Sequence, residues 1–188
     1  MPIKLLSEKV SYSSEPGRLQ ILILGKIERW KESLLLGWLL AWFFCGGVVI
    51  SEYLKTDDRD LKMIFVIFLV FWAYYLWRVL RVFIFRRGGN ELIKIEGGVL
   101  TLKKSFYTYG KSRTFNLNQI TDFQRIDLTK TSIVYNYENG WWVLGGEKLS
   151  FNYHGTYVKF AMQISEPVRD RVYHLIHQEI MKAGKAVV

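Results

Sequence analysis

Hydrophobic and polar positions divide the chain into three stretches with different periods. Residues 1–18 (MPIKLLSEKVSYSSEPGR) are polar and mixed in charge. From Leu34 to Ile50 (LLLGWLLAWFFCGGVVI) no residue is charged, and with Ser33 before it and Ser51 to Leu54 after it the stretch reaches the roughly 20 residues that cross a bilayer core as a helix. Met63 to Trp77 (MIFVIFLVFWAYYLW) is again uncharged and continues to Phe85 if Arg78 and Arg81 extend their stems to the headgroups. Helices of a soluble bundle normally keep a polar stripe, whereas here every face is apolar. The pattern predicts a two-helix transmembrane hairpin over 33–87, with spans 33–54 and 63–85, preceded by an N-terminal segment, 1–32.

After Arg87 the period shortens to that of strands. Gly88-Gly89-Asn90 reads as a hinge, and residues 91–96 (ELIKIE) and 99–103 (VLTLK) alternate around Gly97-Gly98 as a β-hairpin. Further strands are expected at 112–117, 120–127, 131–137, 141–144, 147–153 and 156–163. Turns fall at Tyr109-Gly110, Glu138-Asn139-Gly140, Gly145-Gly146 and His154-Gly155. The last element is a helix: Ser165 caps it, Glu166 and Pro167 lie in its first turn, and Val168, Val172, Leu175, Ile176 and Ile180 form one apolar stripe. The expected fold class is a membrane α-helical hairpin plus a mainly-β (α+β) domain over 88–188. About seven antiparallel strands followed by one amphipathic helix is the pattern of a pleckstrin-homology-like (PH-like) barrel closed at one end by its C-terminal helix.

Charge orients this picture. The chain carries 26 Lys and Arg against 17 Asp and Glu, a formal net charge of +9, which favours contact with something anionic. With membrane spans present, a phospholipid surface explains it more simply than nucleic acid, for which no continuous basic stripe or reader motif exists. The connector Lys55 to Lys62 is nearly charge-balanced, whereas Lys26, Arg29 and Lys31 precede the first span and Arg78, Arg81, Arg86 and Arg87 close the second. The positive-inside rule then predicts that both termini face the cytoplasm. Trp30 and Trp38 at one end, with Tyr53 at the other, suit interfacial aromatic belts. A cleaved signal peptide needs an apolar stretch near the start, so the first span is expected to stay in the mature protein. Cys45 is the only cysteine, which rules out an intrachain disulfide or a cysteine metal cluster. Ser33, Gly37, Ala41 and Cys45 recur every four residues, a small-residue stripe expected to bring the first span close to a bulky neighbour such as the aromatic face of the second.

The order LQILIL (19–24), GKIERW, two spans, IKIEGGVLTLKK and KLSFNYHGTYVKFAMQISEPVRDRVYHLI resembles a widespread group of uncharacterised bacterial two-span proteins with a cytoplasmic PH-like domain. More remotely it is similar to the photosystem I assembly factor family, which has the same two-span plan. The resemblance spans roughly residues 18–182 and implies a scaffold or assembly role at the cytoplasmic membrane, with no catalytic motif.

Candidate sites are few. Lys103, Lys104, Lys111 and Arg113 flank an aromatic tip; the resemblance to PH domains sets Lys104, Lys111 and Arg113 where phosphoinositide phosphates would bind, and a point charge with a guanidinium fork suits a phosphate. A solvated hairpin whose charge maintains solubility is the simpler account. Trp141-Trp142, near Tyr135 and Tyr137, offers either core packing or, through Trp142, a partner surface. His174 and His177, with Asp170 one turn earlier, lack the further ligand a metal site needs and read as surface residues. The glycine pairs match no phosphate-binding fingerprint, and no nucleophile motif occurs. No catalytic, cofactor or metal residue is assigned. The expectation is a non-enzymatic membrane-anchored interaction or assembly protein that contacts membrane lipids and a membrane protein partner. The alternatives are a permanent accessory subunit of a larger membrane complex, packed through Gly37, Ala41 and Cys45, and an anionic lipid-headgroup sensor.

Overall fold

The computed structural model describes residues 3–106, 109–126, 140 and 143–185. They fall into two units: a helical hairpin, and a β-rich unit drawn from both sides of it.

In the hairpin, α1 spans Arg29–Lys55 and α2 spans Arg59–Gly88. Both are long and apolar enough to cross a membrane, and each extends beyond the uncharged run that predicts it. Along α1, Leu35, Leu39 and Gly46 are buried and Trp42 and Val49 partly so; along α2, Phe65, Leu69, Trp72, Leu76 and Val79 are partly buried and Val82 is buried. Alternating steps of three and four make a heptad seam, the geometry that lets two helices stay in register over their length.

The β-rich unit starts before the hairpin. Strands β1 (Lys4–Ser7), β2 (Val10–Glu15) and β3 (Arg18–Leu24) precede α1. Strands β4 (Gly89–Glu96), β5 (Val99–Phe106) and β6 (Tyr109–Asn116) follow α2, and all six form one antiparallel sheet in chain order. Every residue of β3 pairs with one of β4, from Arg18↔Glu96 to Leu24↔Asn90. Residues 4–24 therefore belong to the same sheet as the hairpin at 91–103. A membrane crossed by both helices has the two flanks on one side.

Strands β7 (Ile120–Arg125), β8 (Glu147–Tyr153) and β9 (Thr156–Met162) form a second antiparallel sheet, and helix α3 spans Glu166–Lys185. The core gathers fully buried Ile21, Ile93 and Leu100 from the first sheet, Leu149, Phe151 and Phe160 from the second, and Val172 and Ile176 from α3. The apolar stripe expected on the last helix is the face that enters this core.

Several expectations need correction. Among the described residues the strands make two sheets and no closed barrel. Gly88 closes α2, and Gly89 and Asn90 open β4, so no loop residue lies between these two elements. Tyr109 and Gly110 lie in β6, where a Cβ on Gly110 would collide with the β5 backbone at Lys104 and Ser105. The expected strand at 131–137 lies outside the described residues; of that at 141–144, Val143 and Leu144 form a bend. The turns at Gly97-Gly98 and His154-Gly155 are present, each with two consecutive positive φ angles, the conformation that tight hairpin turns require.

Candidate functional site

The basic residues converge on the end of the first sheet where β4 begins. Cross-strand register sets Glu91 of β4, Lys104 of β5 and Lys111 of β6 in one row. Arg113, two residues along β6, projects from the same face as Lys111, whereas Lys103, opposite Leu92 and Ser112, projects from the other. Lys111 and Arg113 are exposed. Lys104 is half-buried and donates to Glu147 Oε1 on β8 at 3.0 Å.

Glu91 is 2% exposed. Its Oε2 accepts the Met162 backbone N–H at 2.9 Å, while its Oε1 has no hydrogen-bond partner. Burial pushes the carboxyl above the usual carboxylate range; the Lys104 charge and the Met162 and Ala161 N–H groups pull the other way, and Glu147 adds to the rise. Ala161 and Gln163, on either side of Met162, have positive φ of 62° and 48°. Such angles cost L-residues free energy, so the buried carboxylate acts as a peg that holds this bend at the end of β9. Glu91 was legible in principle: it keeps the phase of Ile93 and Ile95, so alternation alone points it into the core.

The other predicted residues are placed as follows. Trp142 lies outside the described residues. Trp30 is exposed and donates its indole N–H to Glu28 at 2.6 Å, with Lys31 over its ring. Arg78 lies over Tyr74, and Arg81 and Arg87 are exposed. Arg86 is 4% exposed and its Nη2 donates to the Val143 carbonyl at 3.0 Å. Asp170 bonds Arg125 at 3.2 Å, and His177 stacks on Tyr173.

Within the hairpin, the close approach uses a different stripe from the one expected. Gly37, Ala41 and Cys45 are exposed, and a Cβ on Gly37 would meet nothing within 4 Å. Gly46 is the contact glycine, because a Cβ there would overlap the Trp72 indole. Trp42 and Trp72 exchange hydrogen bonds: Trp72 Nε1 donates to the Trp42 carbonyl at 2.8 Å, and Trp42 Nε1 to the Trp72 carbonyl at 3.2 Å. An indole N–H in hydrocarbon needs such a partner, and helical carbonyls keep a second lone pair to offer. Tryptophans in the middle of both spans, away from the interfaces they favour, were the available signal.

Comparison with protein-family models, with curated proteins and with solved structures finds no match for this chain.

Proposed function

We propose that the chain is a non-enzymatic, membrane-anchored interaction or assembly protein that works through a PH-like domain on the cytoplasmic side of a bacterial inner membrane. The observation that carries this reading is the full-length pairing of β3 with β4, which ties the folded unit to both flanks of the hairpin. A domain joined directly to one span, and to the other through residues 25–28, suits presenting a surface to neighbours in the same membrane. Two packed antiparallel sheets with a C-terminal helix are in keeping with the PH-like plan.

A second reading, a permanent accessory subunit, draws support from the exposed Gly37, Ala41 and Cys45 face, which the intrachain seam leaves open to another helix. Purification of tagged full-length protein from its host in mild detergent, with mass spectrometry, separates the two. Substoichiometric membrane-protein partners are expected for assembly; a stoichiometric set supports the subunit reading, and recovery of the chain alone contradicts both.

A further inference from the structure

Among the described residues, β1 and β6 end the first sheet and β7 and β9 the second. Open edges invite pairing with other chains, and proteins blunt them with short strands, bulges or bends. Here β1 has four residues and a register shift, β7 shifts register between Thr121 and Gln124, and β9 bends at Ala161, whose φ is positive. β6 has none of these devices. It runs eight residues in unbroken register with β5, from Phe106↔Tyr109 to Val99↔Asn116, and Phe115 alone of its side chains is buried.

One hydrogen bond shows which groups that edge offers. The Leu117 N–H, just past the strand, donates to the Gly98 carbonyl at 2.9 Å. Antiparallel pairs alternate between bonded and open, so Phe115, Arg113 and Lys111 bond to β5, while the N–H and C=O groups of Gly110, Ser112 and Thr114 point away from it. No strand meets these groups among the described residues.

Charge then selects the occupant. Lys111 and Arg113 share one face of β6 with Tyr109 and Phe115, and Ser112 lies between them on the other. Lys104 is directly opposite Lys111, a like-charge pair that destabilises a sheet, and Glu147 pairs with Lys104. Lys111 and Arg113 make no ion pair among the described residues. A second copy of β6, set antiparallel about Ser112, brings Lys111 opposite Arg113 twice, so the edge repels its own kind. A strand with two acidic residues in the same phase is attracted instead.

We propose that the open edge of β6 takes an extended, acidic segment of a partner protein as an antiparallel seventh strand of the first sheet. Main-chain hydrogen bonds to Gly110, Ser112 and Thr114 hold the segment, and carboxylates two residues apart pair with Lys111 and Arg113. The inference rests on the interaction reading proposed above and gives it a kind of partner and a docking mode.

The test uses full-length protein in uncharged detergent at low salt. The probe is the labelled peptide Thr-Val-Thr-Glu-Thr-Glu-Thr-Val-Thr, read by fluorescence anisotropy. A counterpart with Lys for both Glu is expected to bind about thirtyfold more weakly, since two favourable cross-strand pairs become two unfavourable ones. Methylating the main-chain nitrogens of the central threonines keeps the charges and is expected to abolish binding. Ser112→Pro is expected to do the same without unfolding the sheet, because that N–H lies outside the β5 ladder. Lys111→Glu with Arg113→Glu should reverse the preference between the two peptides. The inference is overturned by an acidic peptide that does not bind, by a methylated one that binds equally, or by full binding to a folded Ser112→Pro variant. Dimerisation that Ser112→Pro abolishes assigns the edge to a second copy and overturns it too. Membrane-protein partners recovered equally with wild type and Ser112→Pro overturn this docking mode and leave the proposed function standing; wild type recovered alone removes both.

Discussion

Gly46 and Gly47 are adjacent in α1, yet the structure predicts opposite outcomes for the same substitution. Gly46→Ala places a methyl group where the Trp72 indole lies, so the ring must turn or the helices must part. Overpacking of this kind costs about 1–3 kcal/mol. Turning the ring also breaks the hydrogen bond from the Trp72 indole, and parting the helices breaks the one from the Trp42 indole as well, each worth about 0.6 kcal/mol between membrane helices. The hairpin is thus expected to lose about 2–4 kcal/mol. Gly47→Ala meets nothing within 4 Å and is expected to be neutral, or slightly stabilising through the better helix propensity of alanine. Unfolding of both variants in mixed detergent, followed by tryptophan fluorescence and helical circular dichroism, measures the difference. Trp42→Phe should behave as a weaker Gly46→Ala. Equal stability of Gly46→Ala and Gly47→Ala would refute the seam described here.

Two further predictions concern the β-rich unit. Folding raises the Glu91 carboxyl above its ordinary value of 4.5, so the folded state holds the proton more tightly than the unfolded one. Stability is then lost as pH rises from that value through the raised folded one, and Glu91→Gln should flatten this dependence and unfold later than wild type at mildly alkaline pH; a thermal-melt series against pH checks it, and an unchanged profile refutes it. Ile21→Ala, in a strand that precedes the hairpin, should cost about 2–5 kcal/mol, as much as Ile93→Ala, because both side chains are 0% exposed in one core; an Ile21→Ala variant that melts like wild type would show β3 to be dispensable.

How much of this was legible in the sequence depended on whether the decisive interaction was local. Run length and the absence of charge marked α1 and α2, alternation around Gly97-Gly98 marked the β4–β5 hairpin, and a helical stripe from Val168 to Ile180 marked the buried face of α3. Each of these rests on a period read within one segment. Tertiary structure decided what covers those faces. It joined Leu19–Leu24 to β4 across the hairpin, chose Gly46 over Gly37 as the contact glycine, buried Arg86, and set Lys104 between Glu91 and Glu147. A sequence period states that a face is apolar or charged; which distant residue meets it is settled by non-local pairing and by which side chains can pack together without overlap.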